Sequence, residues 1–331
     1  MMRHLFGIIL WIIKKKDYLC SMNASKKFLR LAVDHWQLAV AAVFAIAVCG
    51  LWYFRYPHLL STREQSVLFI WDWTYVLDRL AMPWGWMELS KSFVEQFFFN
   101  TGLGSAIIAL FSLLTLWLTY KVLRLFVRKE RYAPFCFLLA FAPAVYVSML
   151  PLHPSGGTEE EMRYDYLVRK GDWQGIIRQY YEQPPQSLAC NTAAALAMLQ
   201  TGQMDQQRFA ANLITSKHVL SGRSAAFIMS DVYMMVGLVS LSQRTAFEAM
   251  ESIRDYNKSG RSLVRLTECS LIYGQPKIAL KYISILEKTV FYRRWAQKTK
   301  PLAQHPELVE SHPVYGKLRK LCEHSTDTFF W

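Results

Sequence analysis

The sequence predicts an all-α protein, with N-terminal transmembrane helices (about three) followed by a tetratricopeptide-like α-helical repeat domain. Three observations predict this. Three charge-free apolar runs lie before residue 151, the sequence after it has the polarity of a water-facing helical protein, and four helix–Gly–helix units follow one another there. The whole-chain averages, 53% hydrophobic residues and a mean hydropathy of +0.11, conceal this division. The predicted order is a cytoplasmic N-terminal segment (1–35), a transmembrane domain (36–151), a repeat domain (158–300) and a C-terminal tail or cap (301–331).

The first span covers 36–54, WQLAVAAVFAIAVCGLWYF. About 20 apolar residues cross a hydrocarbon core of about 30 Å, and Trp36 and Trp52–Tyr53–Phe54 sit where interfacial aromatics collect. The second covers 104–122 and is charge-free until Lys121, which can snorkel to the headgroups. The third covers 133–150, with Pro134 in its first turn and Pro143 inside it. Residues 5–13 are apolar but too short to span. The basic Lys14–Lys15–Lys16 that follow stand on the wrong side for a cleavable signal. Residues 1–21 read either as an over-extended start, with Met22 opening the chain proper, or as an interfacial segment.

Orientation follows from the short flanks. Lys14–Lys16, Lys26, Lys27 and Arg30 precede the first span, and Lys121, Arg124, Arg128, Lys129 and Arg131 lie between the second and third. The positive-inside rule places both clusters in the cytoplasm. With three spans, the 55–103 loop and everything after Leu150 then lie outside, which is the periplasm if the cell has two membranes. The predicted location is the inner membrane, multi-pass, with membrane lipid as one partner. A fourth span near 93–103 would reverse the orientation. Within the 55–103 loop, residues 66–80 (SVLFIWDWTYVLDRL) and 92–100 (SFVEQFFFN) suit helices lying in the membrane interface, or packed on top of the spans.

The repeat units are 164–181, 194–212, 231–250 and 267–286, turning at Gly171, Gly202, Gly237 and Gly274. The glycine spacings of 31, 35 and 37 residues bracket the tetratricopeptide period of about 34. Glycine ends the first helix of each pair, Asp172 is placed to cap the next, and Ala279 is the small residue that close packing needs. Leu188, Thr192, Ala195, Leu196 and Leu199 form a helical apolar stripe. Ile228, Val232, Met235, Val236 and Val239 form another, and Ile278, Tyr282, Ile285 and Leu286 begin a third. Pro184–Pro185 breaks the chain after the first pair, and 153–157 (HPSGG) is the linker to the membrane half. A non-repetitive helical bundle is the alternative.

Charge argues against nucleic acid as a partner. The net charge is +13, but the excess in the first half (16 Lys+Arg against 8 Asp+Glu up to residue 151) sits mostly beside apolar runs. A phosphate loop, an HExxH helix, a nucleophile elbow and a dinucleotide fingerprint are all missing from the sequence. The eight histidines are scattered, and no two of the six cysteines have metal-ligand spacing. No metal, cofactor, small-molecule ligand or catalytic residue is therefore predicted. Cys190 and Cys269 read as buried thiols, with a disulfide between them the alternative in an oxidising compartment. Asp72 and Asp78 read as the solvated face of an amphipathic helix, with an acidic catalytic role the alternative. Residues 289–300 (TVFYRRWAQKTK) read as a capping helix or as a contact for anionic headgroups.

Two long stretches, EEEMRYDYLVRKGDWQGII…PPQSLACNTAAALAMLQTGQM and GRSLVRLTECSLIYGQPKIALKYISILEKTVFYRRWA, together with EQSVLF (64–69) and EQFF before GLGSAIIAL, carry a resemblance. They are similar to an uncharacterised Bacteroidetes multi-pass membrane-protein family with a tetratricopeptide-like C-terminal region. The resemblance covers most of 36–300 and implies a membrane location and a helical tail, with no established activity. Members usually carry more spans between the two regions, so this chain looks like a shortened one. The expected function is a membrane-anchored scaffold in a cell-envelope complex, binding an unidentified protein through the repeats, where Asn191, Arg223 and Arg265 are the candidate contacts. The alternative is a degenerate or accessory member of a membrane glycan or lipid transferase-like family.

Overall fold

The computed structural model describes residues 36–152, 156–213, 222–253 and 258–324. The readings of 1–35, of Cys20, of part of the 153–157 linker and of the last seven residues fall outside these. Among the described residues every regular element is a helix. In chain order they are α1 (Trp36–Gly50), continued by a π-helical turn (Leu51–Arg55), α2 (Pro57–Glu64), α3 (Trp73–Leu80) and α4 (Gly85–Glu95). A 3-10 turn (Gln96–Phe99), α5 (Thr101–Phe126) and α6 (Ala133–Met149) follow. Then come α7 (Glu159–Lys170), α8 (Trp173–Glu182), α9 (Leu188–Gln200), α10 (Gln206–Asn212), α11 (Arg223–Met235) and α12 (Val239–Glu251). The last are α13 (Gly260–Ile272), α14 (Pro276–Leu286), α15 (Arg293–Gln304), α16 (Glu307–Ser311) and α17 (Tyr315–His324).

The chain divides into two compact units, Met1–Gly50 with Ile108–Met149 and Leu51–Ile107 with Leu150–Trp331. The segment between the first two spans thus groups with the repeat half of the sequence.

Among the described residues, three helices are long and apolar enough to cross a membrane, Trp36–Arg55, Thr101–Phe126 and Ala133–Leu152, and most of each lies in the first unit. Each runs to or slightly past the predicted ends. Cys136, Ala140, Ala144 and Ser148 recur every fourth residue of α6, and all four are buried. Such a strip of small residues lets helix backbones approach closely. Leu116, Phe137, Ala140 and Ala144 form the core, with Phe44 and Phe141 packed beside them and edge to face with one another. Ser112 and Thr115 donate to the carbonyls of Ile108 and Phe111, both at 2.8 Å, so both of these hydroxyls are paired within their own helix.

In the second unit, α7/α8, α9/α10, α11/α12 and α13/α14 form four consecutive helix pairs. Each pair turns at a glycine with positive φ: Gly171 (+66°), Gly202 (+74°), Gly237 (+88°) and Gly274 (+65°). The four turns close with the same two hydrogen bonds. The residue after the glycine donates back five positions (Asp172 to Leu167, Gln203 to Met198, Leu238 to Tyr233, Gln275 to Ser270), and the glycine donates back three. This is the Schellman closure, which needs a left-handed residue at that point. Asp172 caps α8 by accepting from the Gly175 amide at 2.9 Å, Asp205 does the same for α10, and Pro276 opens α14.

The first helices of the pairs supply the core: Tyr164, Val168, Cys190, Leu196, Ile228 and Val232. Three residues assigned to apolar stripes depart from them. Leu188, Met235 and Ile278 are exposed, because each lies at a helix end or on its outer flank. Cys190 and Cys269 are both buried and free, in different clusters, so the disulfide alternative is set aside. Helix α15 packs on α14, and α17 on α13, giving the stack a helical end through Ala296, Ala303 and Leu318.

Candidate functional site

The most distinctive chemistry of the second unit is a chain of charges inside the helix stack. Arg261 on α13 donates to both oxygens of Asp165 on α7, at 2.7 and 2.9 Å. Its other terminal nitrogen bonds to Asp231 on α11. Arg265, one turn further along α13, donates to Asp231 at 2.5 Å and to Glu268 at 2.8 Å. Glu268 accepts in turn from the Tyr315 hydroxyl at 3.1 Å. The Arg261 guanidinium lies over the Phe227 ring, 4.5 Å from its centroid. One forked cation thus ties the first helices of the first, third and fourth pairs together.

The segment between the first two spans closes this network. Helix α2 packs on α7, and its C-terminal end carries Glu64 and then Gln65 into the stack, both buried. The Gln65 amide oxygen accepts from Arg261 at 3.1 Å, and its nitrogen donates to Asp165 at 3.3 Å. Glu64 accepts from the Tyr292 hydroxyl at 2.7 Å and pairs with Arg169 at 3.4 Å. Arg169 also donates to Ser61 at 3.0 Å. Arg63 pairs with Glu95 at 3.1 Å and donates to the Pro151 carbonyl at 3.2 Å. After a turn at Gln65 and Ser66 the chain is irregular as far as Asp72. Leu68 is buried among Leu263, Leu286 and Tyr292, and the Trp71 amide donates to the Lys288 carbonyl at 2.8 Å.

Burial sets the protonation of this site. It pushes the Asp165 carboxyl above its usual range, against the pull of Arg261. Burial acts on Asp231 too, but Arg261 and Arg265 together outweigh it and hold that carboxyl below its usual range. Burial next to Glu64 raises the Tyr292 phenol well above its ordinary value, so it stays a donor. Burial also pushes the Cys269 thiol up to about 12. The arrangement fixes helices and a peptide segment. Among the described residues no cluster of His, Cys, Asp and Glu could hold a metal ion.

The three candidate contacts stand apart from one another. Asn191 lies on α9, where its amide donates to the carbonyls of Pro185 and Ser187, both at 3.1 Å. It borders a depression of about 320 Å³ lined also by Tyr180, Leu188, Met198, Met204 and Asn212. Arg223 opens α11 and is buried against Gly156, where a side chain would collide with its guanidinium. Arg265 is committed to Asp231 and Glu268. Asp72 caps α3 through the Thr74 amide at 2.9 Å and pairs with Lys288, and those bonds hold its carboxyl well below the usual range. The 92–100 stretch, expected at the membrane interface or on the spans, packs within the second unit: Phe97 and Phe99 contact Phe291.

Sequence reasoning missed Glu64, Gln65, Asp165, Asp231 and Arg261. A signal for three members of the network was present. Asp165, Asp231 and Glu268 each stand six residues ahead of their turn glycine, with Leu196 at that register in the second pair. Acids recurring at one position of a repeat otherwise built on apolar residues mark an inward-facing charge.

No curated protein and no solved structure matches the chain. The model of one family, described as a family of unknown function (DUF6057), matches residues 34–155 and 144–331. The two matches together run through both units, and they fit the likeness to an uncharacterised family already visible in the sequence. The chain belongs to the DUF6057 family.

Proposed function

We propose that this chain is a membrane-anchored helical-repeat scaffold of a cell-envelope complex. Its apolar helices hold it in the inner membrane, and its tetratricopeptide-like pairs, on the outer side, organise polypeptide. The observation that carries the reading is the seat of Glu64 and Gln65. The helix stack holds the C-terminal end of α2, and with it the peptide that follows, through side chains from α7 and α13 and from Tyr292. Stacks of helix pairs characteristically present such surfaces.

Because the chain's own segment takes the inner face, a partner protein uses another one. The depression beside Asn191 fits, with the exposed Leu188 and Tyr181 as apolar contacts near it. On this reading Asn191 touches the partner directly, while Arg223 and Arg265 keep the inner layer in place. The test is affinity capture from gently solubilised native membranes with the chain tagged at its C-terminus. A defined envelope protein is expected, lost when 158–300 are deleted and weakened by Asn191→Lys with Leu188→Asp. Recovery of nothing reproducible, or of the same protein by both variants, contradicts the scaffold reading.

A further inference from the structure

We propose that the outer face of α3, α4 and the turn between them is a tryptophan platform that lies in the headgroup layer of the bilayer and sets how the helix stack is held against it. The proposal rests on the membrane reading of the three apolar helices.

Four indoles stand on this short segment, Trp71, Trp73, Trp84 and Trp86, exposed by 58%, 73%, 72% and 61%. Leu77, Leu80, Met82 and Met87 are exposed beside them. So much uncovered apolar surface on one segment marks an interaction site. Its chemistry differs from that of the spans, whose uncovered residues are mainly Leu, Val, Ile and Phe. Indole has an apolar body and one N–H donor, the combination that collects at membrane–water interfaces rather than in the hydrocarbon.

The chain supplies the continuity with lipid. Trp71 stands 16 residues after Arg55, the end of the first apolar helix, and Met87 stands 14 before Thr101, the start of the second. Both ends of the platform segment are therefore tethered to membrane helices. Trp84 adds a further sign. It has φ +60°, the one non-glycine residue with positive φ among those described. A bulky residue in that region is strained, yet its indole stays largely exposed. Gly85 follows because a side chain there would collide with the Arg79 carbonyl.

The platform is fixed to the stack. Phe69, Trp71 and Phe93 form a triangle of edge-to-face rings. Phe93 continues through Phe97 to Phe291 beside α15. The Trp71 amide and Asp72 are both held by Lys288. A bilayer contact at the indoles therefore bears on the connection between α14 and α15.

The test uses the full chain, labelled with 5-fluorotryptophan, in nanodiscs of phosphatidylcholine and phosphatidylglycerol. Each resonance is assigned by a Trp→Phe variant. Broadening is compared between a lipid carrying a nitroxide high on its acyl chain and a water-soluble gadolinium chelate. Trp71, Trp73, Trp84 and Trp86 are expected to broaden severalfold more with the lipid probe than Trp173 on α8 does, and to resist the chelate. Broadening by the chelate to the extent of Trp173 overturns the proposal, because the face is then in water. Resistance to both probes also overturns it, because protein then covers the face. Trp117, inside the second apolar helix, reports separately: if it too fails to respond to the lipid probe, the membrane reading itself falls.

Discussion

Gln65 and Arg261 are 196 positions apart in the chain and meet in a buried hydrogen bond of 3.1 Å. Through it the segment between two apolar helices becomes part of the interior of the helix stack. The same amide donates to Asp165, so both ends of the glutamine side chain are satisfied by charged partners. Replacing Gln65 with Leu keeps the volume but leaves Asp165 and Arg261 each short of one bond. The expected cost is about 1–3 kcal/mol, read from urea unfolding followed by circular dichroism in mild detergent.

Arg261 carries a larger share. Its removal leaves Asp165 and Asp231 buried, with Asp165 losing both of its bonds to the guanidinium. Arg261→Met should destabilise the second unit by about 3–5 kcal/mol. Arg261→Lys should recover part of that only, because an ammonium cannot bridge two carboxylates with a planar fork. Equal stability of the Met and Lys variants would show that packing over Phe227, rather than charge, is what Arg261 provides.

Stability should also fall in mild acid through His58. Burial, and next the positive charge of Arg163, push its imidazole down to about 4, against the pull of Glu159. The unfolded chain takes up a proton near pH 6.5, whereas the folded chain resists until about 4. The stability is therefore fully present above pH 6.5 and is lost as pH falls toward 4, by about 3 kcal/mol in all. His58→Asn should flatten the pH dependence of the unfolding midpoint between pH 7 and 5. An unchanged slope would place the acid sensitivity elsewhere.

Two glycines separate backbone strain from steric clash. At Gly171 a methyl group meets nothing, but φ is +66°, so Gly171→Ala should cost about 1–2 kcal/mol from conformation alone. At Gly260 a methyl group would stand 2.3 Å from the buried Tyr292 ring, which holds Glu64. Gly260→Ala should cost about 1–3 kcal/mol from crowding. It should also loosen residues 64–69, which Gly171→Ala should leave unchanged. Hydrogen exchange of that peptide distinguishes the two variants.

The long apolar helices and the turns were legible in the sequence for simple physical reasons. A helix long and apolar enough to cross a membrane is apolar on all sides, so composition alone marks it, and glycine is the residue that most readily takes a left-handed turn, so Gly171, Gly202, Gly237 and Gly274 announce the pairs. The seat of Glu64 and Gln65 was not legible. Their partners lie on α7 and α13 and at Tyr292, and nothing local in an EQ dipeptide separates a buried network from a solvated loop. Arg265 was read as a contact because a polar residue on the inner surface of a repeat is ordinarily open. Here α13 turns it toward Asp231 and Glu268.

The central claim is that residues 57–69 are an integral part of the helix stack, held by Glu64 and Gln65. Hydrogen exchange on the intact chain in nanodiscs tests it most directly. The amides of 59–69 are expected to be protected as strongly as those of α7, and Glu64→Lys with Gln65→Lys should remove that protection while α9 stays protected. Fast exchange of 59–69 in the unaltered chain, or protection that survives the double substitution, would contradict it.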